Sequence, residues 1–451
     1  MRLPMTKILS LVPRVTLTLA ALVVLWRVAA LGVATLYTEQ LPAGGERAAL
    51  QALDWSGAEP QALQALGYAA VGLDNARAQQ LLAAAYGLNP TRARPLLAVA
   101  ALVLAAGDEA RAGALVETAA ALMPARADVQ REVAQFWADL GRLDLAFQYW
   151  SRAIETGAPG TAALFSTFRQ LLQTPAGLAA FRELALRPPS WWERFFVQTA
   201  RGGTELALVQ ALYDMRRVPG AAALSPGERR GYVARLLREG AHEAAYLAWI
   251  NSLVPAQRRA LGLLYNGGFE QPISGFGFDW QVVKHERASI SRSPASGAPG
   301  QSLRIEFRFA RTAFDHLSQR LYLGPGFYRL VGRTRSDRFY TESGLRWMVL
   351  CTAPDTAMLG ESRRLLGNED WLQFAFEFAV DEGCESQQLR LVSAEGFRVD
   401  EATDGVIWFD ELVITRIEVM SPAERARAEA RQAAMERASG GAEAETQDAQ
   451  D

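Results

Sequence analysis

The sequence predicts a multidomain chain in which an N-terminal transmembrane helix precedes an all-α solenoid and then an all-β sandwich. Three observations predict it. An apolar stretch lies near the N-terminus, a pattern of small residue, bulky residue and Pro recurs at about 34 residues, and hydrophobic periodicity switches from 3.6 to 2 near Tyr265. At 451 residues, half of them hydrophobic and 21% charged, the chain exceeds one core and fits two folded domains with appendages. Its net charge of −2 argues against a nucleic-acid partner, since phosphate contacts need a basic surface. Lys7 and Lys284 are the only lysines, and the preference for Arg, with abundant Ala and Gly, is associated with GC-rich bacterial genomes.

Residues 1–14 form a basic segment carrying Arg2, Lys7 and Arg14, and the apolar stretch from Val15 to Tyr37 follows. About 20 apolar residues cross a bilayer, so 15–37 reads as a signal anchor. Arg27 interrupts it at a cost of roughly 2.5–3.5 kcal/mol, which the surrounding Leu, Val, Ala and Trp residues offset. A cleaved signal peptide with Val15–Trp26 as its apolar region is the alternative, and Ala30-Leu31-Gly32 its best cleavage site. Either way the positive flank stays in the cytoplasm and the bulk of the chain is expected in the periplasm, held at the inner membrane. Cys351 and Cys384 are the only cysteines, and a pair in an oxidising compartment reads as a disulfide. Two buried free thiols are the alternative.

From Glu46 to Leu264, Ala and Leu recur at helical spacing, with Gly and Pro as punctuation. Pro90, Pro124 and Pro159 are 34 and 35 residues apart. Ala78, Ala112 and Ala146 precede them at matching offsets, as do Ala85, Ala119 and Ala153, with bulky Leu82, Val116 and Trp150 between. Gly107 and Gly141 mark turns between paired helices. This pattern, clearest in Leu140-Gly141-Arg142-Leu143-Asp144-Leu145-Ala146-Phe147-Gln148-Tyr149-Trp150, resembles the tetratricopeptide repeat family. A degenerate unit recurs at Gly240, Ala245, Trp249 and Pro255, whereas the period is lost between Thr161 and Gly231. The reading is three to five helix pairs. The resemblance implies a groove that docks a protein partner; a spacer that only projects the C-terminal domain is the alternative. Ser190 and Glu193 form a capping-box pattern. Trp191, Trp192, Phe195 and Phe196 beside it mark either solenoid core or a membrane-surface or partner contact.

Past Tyr265, Ser302–Phe309 alternates Leu303, Ile305, Phe307 and Phe309 against Arg304, Glu306 and Arg308. Trp371–Val380 alternates in the same way. Further strands are expected at 280–284, 317–323, 327–334, 345–350, 388–393 and 406–415, with turn signals such as Gly324-Pro325-Gly326 between them. Eight or so short strands without a helical insert favour a sandwich over 265–419. Residues 420–451, rich in Ala, Glu, Arg and Gln, read as a frayed helix passing into a disordered tail.

The opening Asn266-Gly267-Gly268-Phe269-Glu270-Gln271-Pro272, with Phe278-Asp279-Trp280, resembles the start of galactose-binding-like carbohydrate-binding modules. The closing Val406-Ile407-Trp408-Phe409-Asp410-Glu411-Leu412-Val413-Ile414 resembles their last strand. The resemblance implies a jelly roll that binds polysaccharide. It also implies a structural calcium ion at Glu270 and Asp410, where carboxylate and main-chain oxygens suit a hard cation; turn capping or pairing with arginine is the alternative. Aromatic faces stack on sugar rings and polar groups reach hydroxyls. The glycan-binding candidates are therefore Tyr340, Trp347 and Trp371, with Arg346 and Arg338 as donors, and Trp408 and Arg335 beside them. Each aromatic has a core reading as well. The segment Gly262–Val419 holds 17 basic and 22 acidic residues, so bulk charge gives no argument for an acidic polymer.

His242, His285 and His316 show no metal-ligand spacing, and no zinc-protease, serine-hydrolase or phosphate-loop motif occurs. The absence of these motifs points to a non-catalytic chain, and the resemblance to chains of exopolysaccharide gene clusters that pair such repeats with such a sandwich implies an accessory protein for surface polysaccharide assembly or export. The alternatives are a scaffold whose sandwich binds only protein, and a glycan-cleaving enzyme built on paired carboxylates.

Overall fold

The computed structural model describes residues 5–310, 313–394 and 402–430. It divides into two units. One spans Met1–Phe195 with Val218–Ala222; the other spans Phe196–Arg217 with Ala223–Asp451.

The first unit is helical: α1 (Met5–Glu39), α2 (Leu41–Trp55), α3 (Pro60–Ala70), α4 (Asn75–Leu88), α5 (Arg94–Ala105), α6 (Glu109–Leu122), α7 (Ala127–Asp139), α8 (Leu143–Glu155), α9 (Thr161–Leu171) and α10 (Pro175–Leu186). Each helix from α1 to α8 packs on its neighbour in sequence, the arrangement of a solenoid. The repeat is the buried seam. Ala78, Ala112 and Ala146 are completely buried, and Leu82, Val116 and Trp150 fill the gaps that these small residues open. Asp74 and Asp108, 34 residues apart, cap α4 and α6 by accepting the Arg77 and Arg111 N–H at 2.9 and 3.0 Å. Gly107 and Gly141 adopt φ of 91° and 72°, the left-handed conformation that ends the preceding helix. Where the repeat is lost, α9 and α10 continue the helical pattern around an aromatic core. Phe147, Phe165, Phe168, Phe181 and Phe195 pack there with Trp191 and Trp192. Trp191, Trp192 and Phe195 are at most 4% exposed, so core is what these aromatics form, and Phe196 is buried too.

Residues 16–39 of α1 form a helix of 24 residues with mean hydropathy 2.1, long and apolar enough to cross a membrane. Residues 16–29 are exposed throughout, whereas Ala30, Ala34 and Thr38 are buried. Ala34 joins a small cluster with Ala49 and Ala52 of α2 and with Ala62 of α3. The C-terminal end of the 15–37 stretch is therefore packed against protein.

The second unit holds α12 (Leu206–Met215), α13 (Pro226–Arg238), α14 (His242–Ser252) and α15 (Pro255–Arg258), with the sandwich; α11 (Trp192–Arg201) spans the division. Arg216 and Glu228 form an ion pair at 2.9 Å with both side chains at most 2% exposed. Glu228 also closes the capping box of α13 with Ser225. Arg235 and Arg238 donate to the carbonyls of Ala200 and Arg201 at the end of α11 and of Gly202 and Thr204 just after it.

Ten strands are described. β1 (Gln281–Val282), β4 (Leu317–Leu321), β6 (Leu345–Ala353), β7 (Ala357–Glu361) and β9 (Ser386–Ser393) form one antiparallel sheet, ordered β1-β4-β9-β6-β7. β2 (Ala288–Ser293), β3 (Ser302–Ala310), β5 (Gly326–Thr341), β8 (Leu372–Val380) and β10 (Thr403–Ile417) form the other, ordered β2-β3-β10-β5-β8. The sequence reading lacks β2 and β7. β2 is an edge strand with only Ala288 and Ile290 apolar, so little alternation marks it. The inner faces meet in one core around Phe269, Trp280, Trp347 and Phe409, each 0% exposed. Residues 422–430 are helical, and 431–451, where the disordered tail is expected, lie outside the described residues.

The opening motif docks on the closing strand. The Leu412 N–H donates to the Gly267 carbonyl at 3.0 Å, and a Cβ on Gly267 would stand 1.8 Å from the Leu412 oxygen. Asn266, with φ of 51°, exchanges two hydrogen bonds with the Gln271 main chain at 2.9 Å, and its carbonyl accepts the Trp280 indole N–H. Cys351 on β6 is disulfide-bonded to Cys384 in the β8–β9 turn.

α14 and the sandwich share an aromatic hub. Trp249, 1% exposed, packs edge-on to Tyr265 at 5.0 Å and tilted to Phe278 at 5.6 Å, and Tyr246 joins them with Tyr322. Gly277 admits no side chain there: a Cβ would come within 2.3 Å of the Trp249 ring.

Candidate glycan-binding site

Alternation on β6 and β9 decides which groups leave the core. Leu345, Trp347 and Val349 point inward and are fully buried, so Arg346, Met348 and Leu350 face outward. Register then sets Met348 between Arg390 of β9 and Glu361 of β7, and Arg346 beside Val392. Arg346, Met348, Leu350, Arg390 and Val392, with Ala313, Phe314, Asp315 and Ser393, line a trough of about 200 Å³ on the outer face of the β6–β9 sheet. Met348, Leu350 and Val392 form an apolar floor.

Two arginine–carboxylate couples edge that floor. Arg390 donates from both Nε and Nη2 to Asp315, the first bond at 2.9 Å, a planar two-bond fork. Arg346 Nη1 stands 2.5 Å from Glu361 Oε2, with both side chains about a quarter exposed. That contact is misaligned as a hydrogen bond, and Arg346 Nε and Glu361 Oε2 have no hydrogen-bond partner. Near the same face His285 and His316 meet edge to face, centroids 4.6 Å apart. Their Nδ1 atoms accept the N–H of Arg287 and Asp315 at 3.1 Å. Burial, then the neighbouring His285, push His316 below its ordinary 6.5.

The five sequence candidates do not form one site. Trp347 is a correction: it is 0% exposed, 5.7 Å from Trp280 and 5.2 Å from Phe409, and has no face for a sugar. Arg346 and Trp347 are adjacent on one strand, so they point to opposite faces. Trp371 precedes β8 on the other sheet, its indole N–H on the Ser296 carbonyl at 2.8 Å and the Arg333 guanidinium 5.1 Å from its ring. Trp408 lies between Arg304 and Arg335, 5.9 and 5.6 Å from its ring. Tyr340, 55% exposed, and Arg338, with φ of 51°, stand at the irregular end of β5. Only Arg346 reaches the trough; Arg390, Asp315, Glu361 and Met348 were missed. Their signal was the alternation of β6 and β9, legible once Trp347 is assigned to the core.

The structure brings Glu270 and Asp410 into electrostatic range of each other. Asp410 is 4% exposed and accepts the Glu411 N–H at 2.7 Å and the Ser302 hydroxyl at 3.1 Å. Burial raises its pKa, and Glu411 and Glu270 raise it further against these hydrogen bonds. Glu270 accepts the Gln301 N–H at 2.9 Å. Two carboxylates that repel one another suit a hard cation, with main-chain oxygens or water completing its shell, although Arg292 already donates to the Phe269 and Glu270 carbonyls. Among the described residues no group of three His, Cys, Asp or Glu is arranged to hold a metal.

In the helical unit Asp128, Arg131, Glu132 and Gln135 of α7 face Ala163, Leu164 and Thr167 of α9 across a cleft of about 500 Å³.

No family model and no curated protein matches this chain. Solved structures similar to parts of it include a CBM4 domain, at 17% identity over 34% of this chain and 99% of the other, with a TM-score of 0.26. A CBM22-1 xylan-binding domain from Paenibacillus barcinonensis Xyn10C is 14% identical over 34% of this chain and 94% of its own, with a TM-score of 0.24. On the helical side, MamA is 19% identical over 29% of this chain and 77% of its own, with a TM-score of 0.24. At such scores the functional reading rests on the geometry of the chain itself.

Proposed function

We propose that this chain is a non-catalytic accessory protein of the bacterial envelope, tethered to the inner membrane by α1, whose sandwich binds glycan during surface polysaccharide assembly or export. The observation that carries the reading is the trough on the β6–β9 sheet. A narrow apolar floor edged by donors and acceptors is what a sugar chain, apolar on its ring faces and polar at its rim, requires. In the same reading the α7–α9 cleft docks a protein partner, the bulk of the chain lies in the periplasm, and a calcium ion at Glu270 and Asp410 stabilises the junction of the opening motif with β10. Protein taken up in detergent and applied to a glycan array tests the central part: retention on at least one polysaccharide is expected. Failure on every neutral and acidic polymer leaves the scaffold whose sandwich binds only protein. Turnover of any of them identifies an enzyme.

A further inference from the structure

Resting on that reading, we infer that the glycan held in the β6–β9 trough is a neutral polysaccharide recognised through pairs of hydroxyl groups on neighbouring ring carbons. Among the described residues the charged side chains that line the trough are Arg346, Arg390 and Asp315, and each arginine already faces a carboxylate, Asp315 for Arg390 and the neighbouring Glu361 for Arg346. A uronate or sulfate polymer needs uncompensated cations. Here its anionic groups would have to displace Asp315 from a two-bond charge-assisted fork, or Glu361 from a contact of 2.5 Å. A neutral sugar has no such competitor. Each hydroxyl donates once and accepts twice, so two adjacent hydroxyls match an arginine and a carboxylate set side by side.

The two couples differ in a way that favours a ligand. Arg390–Asp315 is satisfied and forms a fixed wall. Arg346–Glu361 is not: a donor and an acceptor on its two partners lack hydrogen bonds. A buried group without a partner costs about 1–3 kcal/mol. Reorienting this couple around a pair of hydroxyls gives both atoms the hydrogen bonds they lack and gives up only an ion-pair contact that is not aligned as a hydrogen bond. Between the couples, Met348 and its apolar neighbours offer an unbranched, polarisable surface for the C–H face of a ring. No free aromatic face is needed, consistent with the burial of Trp347.

The test is native affinity electrophoresis of the full chain in detergent. The gels contain xylan, β-1,4-galactan or mixed-linkage β-glucan as neutral polymers, and polygalacturonate or alginate as acidic ones. Retardation is expected in at least one neutral gel, changing less than about twofold when salt is raised several-fold, because no charge is screened. Arg346→Met and Glu361→Gln should each weaken it at least tenfold while the circular dichroism and melting of the protein hold. Retardation only by acidic polymers, abolished by salt, overturns the inference and leaves glycan binding intact. Retardation by a neutral polymer that both variants retain moves the site elsewhere and also overturns it. No retardation in any gel sinks the glycan reading itself.

Discussion

Trp249→Ala probes the claim that α14 and the sandwich form one cooperative body. The indole is 1% exposed, with Tyr246, Tyr265 and Phe278 all within 6 Å of its ring centre. Replacing a buried Trp by Ala costs about 3–5 kcal/mol. The indole N–H is buried without a partner, so its removal also relieves a penalty of about 1 kcal/mol or more. The net expectation is about 2–4 kcal/mol. Two-state unfolding does not hold for a chain with two units, so a single melting curve cannot report this cost. Native-state hydrogen exchange followed by peptide mass can. Exchange through cooperative opening should accelerate by about 1.5 to 3 orders of magnitude in peptides of α13–α14 and, equally, in those of β4, β6 and β9. Peptides from α3–α8 should not change. Acceleration confined to α13–α14, with the sandwich strands as protected as before, would refute the argument that Trp249 joins them.

Three further outcomes follow. Reducing the Cys351–Cys384 bond should remove about 3–4 kcal/mol from the sandwich on the chain-entropy account, read as a lower melting temperature with dithiothreitol and none of that change in Cys351→Ala/Cys384→Ala. Because burial raises the pKa of Asp410, its share of stability falls as pH rises from 3.8 through the folded value, and the full cost is present above that value. Asp410→Asn should then melt no lower than the natural chain in EGTA, and millimolar calcium should stabilise only the natural chain; a calcium shift in neither would dismiss the ion. His316 has the opposite sign. Its depressed folded pKa leaves its share of stability intact above 6.5 and loses it as pH falls through the folded value, so His316→Gln should flatten the fall in stability below pH 6.5, and an unchanged slope counts against it.

The fold was legible where periodicity is strong. The Ala78, Ala112 and Ala146 register is the seam of the helical unit, and the Leu303–Phe307 and Phe374–Val380 alternations are inner-face strands. The motif Asn266-Gly267-Gly268-Phe269 was legible because contact with Leu412 leaves no room for a side chain at Gly267. The site was read less well. A search for aromatic platforms selects large rings, and in this sandwich Trp280 and Trp347 are what fills the space between two sheets. The trough is instead made of Met348, Leu350, Val392 and arginines whose ion pairs join β6 to β7 and β9 to the segment before β4. Asp315 and Arg390 lie 75 residues apart, and nothing local in the sequence announces their pairing.

Hydroxyl-radical footprinting of the full chain, with and without the polysaccharide selected on the array, addresses the glycan site most directly, because the methionine sulfur at its centre is a sensitive reporter. Saturating polymer should protect Met348 and Leu350 several-fold and leave Tyr340 and Trp371 unchanged. Protection at Tyr340 or Trp371 with Met348 oxidised as fast as before would contradict the account.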